Sequence, residues 1–172
     1  MKRVLLCCLA CLLLTGLLAC GDDYLVSDDP AKTFTEDVGF SITLTEAFSK
    51  YEKEGCTLCY DSSQVAVFCI QSKLSDYPEM AKISFADYVA DVVQKNADKK
   101  FTRQFDIEGI TCVEYETDDL VLEDQTWYFL TAIMNSGDAY WLVQFMCDSS
   151  LRDALSPAFS TWLCSVFFPT SA

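Results

Sequence analysis

Two aromatic segments, TWYFLTAIM (126–134) and AYWLVQFMC (139–147), flank the short polar stretch NSGD (135–138). Asn, Ser, Gly and Asp favour a tight turn between two strands. The six aromatic side chains of the two segments suit cross-strand packing in the middle of a sheet. The sequence therefore predicts a central β-hairpin, and the other elements are placed around it.

Upstream of this hairpin, three further strands are predicted at 40–44, 56–60 and 65–71. In FSITL (40–44), apolar and polar residues alternate, which is typical of a half-buried strand. The stretch DSSQ (61–64) has the composition of a turn and joins the second strand to the third. The third strand begins VAVFCI, which is apolar on both faces and is expected to be central.

Between these strands and the hairpin, the chain predicts a helix and two short strands. Ser84 and Asp87 have the spacing of a capping box, so a helix is expected to begin here and to end near Asn96. Its apolar side chains recur at helical intervals, which makes one face part of the core. The two short strands, 101–106 and 110–116, are joined by a turn at Glu108-Gly109.

The last part of the chain, 151–167, also has apolar residues at helical spacing. Pro157 interrupts it. Since proline is poorly tolerated inside a helix and well tolerated at its first position, we expect one turn, then a break or kink, and then a helix beginning at Pro157.

This order of elements resembles the PsbP extrinsic subunit of photosystem II, and in particular small bacterial lipoproteins thought to share its fold. The resemblance is carried by GFSITL (39–44), YWLVQF (140–145) and the closing Phe159, Trp162 and SVFF (165–168). It implies an α+β fold over 34–168, in which an antiparallel sheet of six to seven strands is flanked by two main helices in an α/β/α sandwich. The matching motifs are packing motifs, so no functional residue is carried over with them.

The N-terminus predicts an exported lipoprotein. Lys2 and Arg3 precede an uncharged run at 4–19, which is the length of a signal-peptide apolar region. The run ends LLAC (17–20), which resembles the lipobox of bacterial lipoproteins. The resemblance implies that the Cys20 thiol receives diacylglycerol and that cleavage of residues 1–19 makes Cys20 the first residue. A signal peptide cut elsewhere and an uncleaved anchor are the alternatives.

Residues 20–33 carry four Asp and a Pro without periodicity, so they predict an acidic tether before a single domain at 34–168. Fully extended, such a tether reaches about 40 Å. The lipid on Cys20 is expected to hold the chain on the outer face of a bacterial membrane. A second acyl chain makes such an anchor stable, whereas an acidic protein surface is repelled by anionic lipid.

Charge and composition exclude several classes of function. The chain has 172 residues, with 26 Asp and Glu against 12 Lys and Arg, a formal charge of −14. Such a surface does not neutralise phosphates, so a nucleic-acid partner is not expected. The sequence has no histidine, which excludes Ser-His-Asp triads, Cys-His dyads and His-ligated metal sites.

The cysteines of the exported part predict neither a CxxC redox site nor a zinc site. Cys56 and Cys59 form a CxxC in a predicted strand, where residues three apart point to opposite faces and their thiols should not meet. Four further cysteines are scattered on apolar faces, where a thiol behaves as a small hydrophobe and no zinc site is expected. They are Cys69, Cys112, Cys147 and Cys164.

An acidic run could hold Ca²⁺, but it lacks the spacing of a calcium loop and is interpreted as a solvated acidic loop. Its members are Glu114, Glu116, Asp118, Asp119, Glu123 and Asp124.

The first hairpin makes a specific prediction about two cysteines. If Tyr60 pairs with Val65 across the turn, antiparallel register places Cys56 directly opposite Cys69. A cross-strand disulfide is then reachable, and export removes the protein from cytosolic reductants. Two reduced thiols in contact within the core are the alternative.

No catalytic residue, cofactor or metal site is predicted from this sequence. We expect a non-catalytic, membrane-tethered module that binds a protein or a small molecule. The alternatives are a subunit or immunity-type partner of an envelope complex and, less favoured, a hydrolase that uses carboxylates alone. A flat aromatic patch would favour a protein partner, whereas a deep pocket with two facing carboxylates would favour the enzyme.

Overall fold

A computed structural model of the chain describes residues 24–118 and 125–168. Its strands are β1 (Ala31–Thr35), β2 (Ser41–Thr45), β3 (Ser49–Tyr51), β4 (Leu58–Asp61), β5 (Val65–Lys73), β6 (Lys100–Ile107), β7 (Ile110–Asp118), β8 (Thr126–Asn135) and β9 (Ala139–Asp148). Its helices are α1 (Phe85–Lys95) and α2 (Arg152–Cys164), and short 3₁₀ turns lie at Val26–Asp28, Met80–Lys82 and Ser149–Leu151.

Seven strands form an antiparallel main sheet in the order β3-β4-β5-β9-β8-β7-β6, and β1 and β2 pair in a separate antiparallel sheet. The predicted aromatic hairpin is β8-β9, which lies in the middle of the main sheet with three strands on one side of it and two on the other. The predicted α+β class, with an antiparallel sheet of six to seven strands and two main helices, is confirmed.

One face of the main sheet carries the larger apolar cluster. Phe159 and Trp162 of α2 pack against Phe145 of β9, with ring centroids 5.2 Å and 6.1 Å away. Phe40, directly before β2, stacks on Trp141 at 5.3 Å. Burial of these rings away from water holds α2 and the small β1-β2 sheet on this face.

The opposite face is covered in part by α1. The Ser84 hydroxyl accepts a hydrogen bond from the Asp87 backbone N–H at 3.1 Å, and the Asp87 carboxylate accepts one from the Ser84 N–H at 3.4 Å. The predicted capping box is thus confirmed. Tyr88 of α1 packs on Tyr140 of β9 with ring centroids 4.6 Å apart, so the two helices lie on opposite faces of the sheet.

The predicted break at Pro157 is wrong, because α2 runs through this residue from Arg152 to Cys164. The missing proline N–H leaves the Asp153 carbonyl without its helical donor. Both residues are exposed, so water can hydrate that carbonyl. Burial of Leu155 and Phe159, each fully buried, offsets the loss.

The predicted boundary between tether and domain at residue 33 is also wrong, because the fold begins earlier. Val26 is fully buried, and its N–H donates to the side chain of Gln64 at 2.8 Å. Its carbonyl accepts from the buried Thr45 hydroxyl at 2.9 Å, and β1 follows at Ala31. Leu25 and Val26, an apolar pair among the Asp residues, therefore anchor this segment in the core.

Candidate functional site

The predicted signal peptide, 1–19, and the predicted lipidation site, Cys20, lie outside the described residues. Within 24–118 and 125–168, no helix combines the length and the apolar character that a bilayer crossing requires.

The predicted pairing of Cys56 with Cys69 is wrong. Leu58 is the residue opposite Cys69, and Tyr60 pairs with Val67. The turn lies one residue further along than expected, since the Ser62 N–H donates to the Val65 carbonyl at 2.9 Å. The side chain of Gln64 is held by Val26, which keeps Gln64 in the turn and out of the strand. Cys56 and Cys69 are both free thiols, and the register that favoured a disulfide between them does not occur.

The structure places Cys56 outside the strand that the sequence predicts for it. Cys56 precedes β4, so the alternation of side chains along a strand does not apply to it. Cys56 is partly exposed, whereas Cys59 is buried. Burial, followed by the neighbouring Cys56, raises the pKa of Cys59 to about 11. The pair lies at a groove of about 490 Å³ lined by 50–54 and 56–59.

The predicted acidic run is divided by the fold. Glu114 lies on β7 and is only 4% exposed, so it is not part of a solvated loop. One of its carboxylate oxygens accepts from Arg103 at 2.7 Å and from Arg152 at 3.1 Å. The other oxygen accepts from the Tyr128 hydroxyl at 2.8 Å. Both oxygens of this carboxylate are therefore engaged in a buried network that joins α2 to the sheet.

The next carboxylates of the run also have cationic partners. Glu116 lies 3.8 Å from Arg152, and Asp118 pairs with Lys100, which lowers the pKa of Asp118. The other three residues of the run, Asp119, Glu123 and Asp124, lie outside the described residues. The described carboxylates thus act in ion pairs, which is not the arrangement of a Ca²⁺ loop.

The face of the sheet that carries α1 also has an apolar part beyond the helix. Phe129 and Met146 are direct cross-strand partners there, and both are partly exposed. Ile70, on the neighbouring strand β5, is 36% exposed. Phe129 stacks on Tyr115 with ring centroids 5.0 Å apart, whereas Ile70 and Met146 belong to neither of the two apolar clusters. We call this region the open surface, and it consists of the partly exposed Tyr51, Ile70, Trp127, Phe129 and Met146 around the buried Phe68.

A shallow groove of about 370 Å³ lies at one end of the open surface. The Lys53 ammonium covers the Phe68 ring at 4.1 Å from its centroid, which is a cation–π contact. Tyr51 and Lys53 line this groove and also the groove beside Cys56, so the two grooves adjoin. The groove also reaches the β4–β5 turn, and its full lining is Tyr51, Lys53, 61–66, Phe68, Trp127 and Met146.

Carboxylates outnumber cations around the open surface. Asp61 lines the groove, and Asp148 lies beside Trp127 as its cross-strand partner. Glu52 and Glu54 flank Lys53 in the chain and are exposed. The open surface is therefore apolar and aromatic with an acidic rim, a pattern typical of a binding surface for another molecule. The sequence predicts only cross-strand packing for Trp127 and Phe129, because strand alternation does not show which face a helix leaves uncovered.

No family model matches the sequence, and no curated protein matches it. Solved structures do match its fold. A protein of Bacteroides thetaiotaomicron is similar with a TM-score of 0.56 and 13% identity, over 80% of this chain and 48% of that one. The chain therefore spans about half the length of that protein.

Two further similar structures have lower scores. Cyanobacterial PsbP (CyanoP) of Synechocystis has a TM-score of 0.49 and 14% identity, covering 90% of this chain and 99% of that one. LpqN of Mycobacterium tuberculosis, described as involved in cell envelope biogenesis, has a TM-score of 0.49 and 11% identity, covering 87% and 100%. At these identities, the likeness concerns the fold and not a shared site.

Proposed function

We propose that this chain is a lipid-anchored, extracytoplasmic binding module whose open surface holds a segment of a membrane-associated protein. The observation that carries the proposal is the open surface itself, where Phe129, Met146 and Ile70 remain partly exposed beside a groove. Large apolar side chains gathered on one face of a sheet favour association with another molecule.

The position of this surface follows from the N-terminal segment. If Cys20 carries the lipid, six residue steps separate it from the buried Val26, a reach of about 20 Å. Val26 is held by Gln64 in the β4–β5 turn, and the same turn lines the groove. The groove would therefore lie at the end of the sheet nearest the membrane, well within the 40 Å that an extended tether would allow.

The acidic rim indicates the chemistry of the partner. Asp61, Glu52 and Glu54 repel anionic headgroups, so the lipid surface itself is a poor occupant. An extended or helical protein segment with apolar side chains and flanking Lys or Arg matches both the apolar centre and the acidic rim. Because the groove is shallow and aromatic, it fits a protein segment better than an enclosed small molecule.

The carboxylate-dependent hydrolase is not favoured by the geometry. The carboxylate of Glu114 is only 4% exposed and accepts hydrogen bonds from Arg103, Arg152 and Tyr128, so it is shielded from a substrate. A general acid or base must reach the proton that it transfers. The network is better explained as the attachment of α2 to the sheet.

Photocrosslinking in intact cells tests the proposal. A benzophenone side chain is placed at Phe129 on the open surface, or at the exposed Thr161 of α2 on the other side of the sheet, and adducts are identified by mass spectrometry. We expect an adduct from Phe129 but not from Thr161, with the attached peptide apolar and containing Lys or Arg.

Charge reversal makes the test specific for the acidic rim. Asp61→Lys should weaken the Phe129 adduct, whereas the matched change Asp153→Lys, on exposed α2, should leave it unchanged. Adducts only to lipid, adducts only to a second copy of this chain, equal labelling from Thr161, or no effect of Asp61→Lys would each contradict the proposal.

A further inference from the structure

We infer that the ring of Phe68 is the seat for an ammonium or guanidinium group of the bound segment, and that Lys53 occupies this seat until a partner displaces it. The inference rests on the proposed function and deepens it, because it identifies where the open surface recognises a Lys or Arg side chain and which group competes with that side chain.

The seat is an aromatic ring whose outer face is covered by an ammonium group. The Lys53 Nζ lies 4.1 Å from the centroid of the Phe68 ring. Phe68 is only 7% exposed, yet it belongs to neither of the two apolar clusters of the described residues. The exposed Lys53 side chain therefore contributes to the cover of a ring that the two clusters do not include.

The position of Lys53 follows from the turn between β3 and β4. The Cys56 N–H donates to the Lys53 carbonyl at 3.2 Å, which closes a tight turn over Glu54 and Gly55. Gly55 has a φ of 83°, a conformation that glycine adopts without a side-chain clash. From this turn, beside the edge strand β3, the Lys53 side chain reaches a ring on β5. Because a lysine ammonium is carried on a flexible stem, it can leave the ring without a change in the backbone.

The charges around the seat favour a cation but do not fix Lys53 in place. Glu52 and Glu54 flank Lys53 in the chain, and Asp61 lines the groove. None of the ion pairs between described residues involves Lys53. A cation from a partner would therefore gain the same ring and the same acidic surroundings that Lys53 has now.

The two cations can exchange because a cation–π contact at an exposed site is weak. Such a contact changes an equilibrium constant by about two- to fivefold. A partner's Lys or Arg can therefore displace Lys53 when neighbouring apolar contacts add to its affinity. Lys53 thus lowers the affinity of the open surface for cationic segments without closing the groove.

Titration with tetramethylammonium, a cation that forms no hydrogen bonds, tests the seat in the absence of a partner. The full chain is labelled at its methionine methyl groups and studied by NMR in non-ionic detergent at constant ionic strength. We expect added tetramethylammonium to shift the signal of Met146, which lines the groove, and to leave those of Met80 and Met134 unchanged. The uncharged molecule tert-butanol, which has a similar shape, should cause no such shift at the same concentration.

Single variants identify the competing cation. Lys53→Gln should lower the dissociation constant for tetramethylammonium about threefold, as expected for an exposed cation–π contact. The matched change Lys32→Gln, which removes an ammonium 4.7 Å from the centroid of the Phe34 ring and outside the groove, should leave the constant unchanged. Phe68→Leu should abolish the shift, with unchanged methyl signals elsewhere showing that the fold is kept.

The outcomes separate this inference from the proposed function. A dissociation constant that Lys53→Gln leaves unchanged, an equal shift from tert-butanol, or a shift that survives Phe68→Leu would overturn the seat, even if the Phe129 adduct forms in cells. Binding of tetramethylammonium that Lys53→Gln tightens, without a Phe129 adduct, would support the seat and contradict the proposed function.

Discussion

The carboxylate of Glu114, in the middle of β7, accepts a hydrogen bond at 3.1 Å from the guanidinium of Arg152, the first residue of α2. The two residues are 38 positions apart in the chain. Their contact joins the beginning of α2 to the sheet on the side where Phe159 and Trp162 are buried. This contact therefore fixes the N-terminal end of α2, and the rest of the helix leads into the aromatic core.

Loss of this contact should destabilise the protein. Glu114→Ala leaves Arg152 and the buried Tyr128 hydroxyl without their acceptor, so we expect the free energy of unfolding to fall by about 2 kcal/mol. Urea unfolding measures the change. Glu116→Ala, which removes a carboxylate 3.8 Å from the same arginine, should cost less than about 1 kcal/mol. Equal losses of unfolding free energy in the two variants would contradict the assignment of this stability to the buried Glu114 carboxylate.

Stability should fall at alkaline pH because of buried thiols. Burial raises the pKa of Cys147 to about 12, whereas an unfolded thiol has a pKa of about 8.5. Between these values the native state keeps a proton that the unfolded state releases. Below about pH 8.5, the ionisation of such a thiol therefore does not affect the free energy of unfolding. Above that pH, each such thiol lowers the free energy of unfolding by about 1.4 kcal/mol per pH unit.

Unfolding free energies measured under reducing conditions from pH 8 to 11 test this prediction. Cys147→Ala should make the decline less steep, and so should Cys112→Ala, since burial raises the pKa of Cys112 to about 12 as well. Cys164→Ala, at an exposed site, should change the slope less. A slope that is the same in all three variants would contradict the assignment.

Two fragments test where the folded part begins. A fragment starting at Phe34 lacks Val26 and the first three residues of β1, whereas one starting at Tyr24 keeps them. Loss of the buried valine and of the acceptor for Thr45 should lower the free energy of unfolding by at least about 3 kcal/mol. Urea unfolding of fragments 24–168 and 34–168 makes the comparison, and equal stability would restore the boundary at residue 33.

Local signals in the sequence predicted most of the fold. The capping box at Ser84 and the aromatic hairpin at 126–147 each depend on residues that are close in the chain, and both were correct in kind. The errors arose where a distant residue decides the outcome. The sequence predicts a turn centred one residue too early, because the contact of Gln64 with Val26, 38 positions away, is invisible in a local pattern.

Side-chain contacts are harder to predict than the fold. Arg103 and Glu114 could have been paired from the turn at Glu108-Gly109, which sets the register of β6 and β7. The contact of Arg152 with Glu114 could not be predicted in this way, because Arg152 lies on a helix that packs on the sheet. Similarly, the sequence predicts a strand that begins at Cys56, whereas β4 begins only at Leu58.

The lipid anchor makes a prediction about processing. Cys20→Ser should leave a full-length precursor without lipid label, because a hydroxyl does not replace the thiolate that takes the diacylglycerol. Gel mobility and incorporation of a labelled fatty acid in cells measure both effects. Cys11→Ser, within the predicted signal peptide but outside LLAC (17–20), should be processed and labelled normally. A labelled product of mature size from Cys20→Ser would refute the anchor.

The central claim is that the anchor presents the groove end of the sheet to the membrane, and energy transfer to labelled lipid headgroups measures it directly. A fluorescent residue is introduced into the lipidated protein at Ser63 in the β4–β5 turn or at the exposed Asp138 in the β8–β9 turn. The two turns lie at opposite ends of the sheet, about 30 Å apart along the strands. We expect strong transfer from Ser63 and much weaker transfer from Asp138. Equal transfer from both positions, or stronger transfer from Asp138, would contradict the claim.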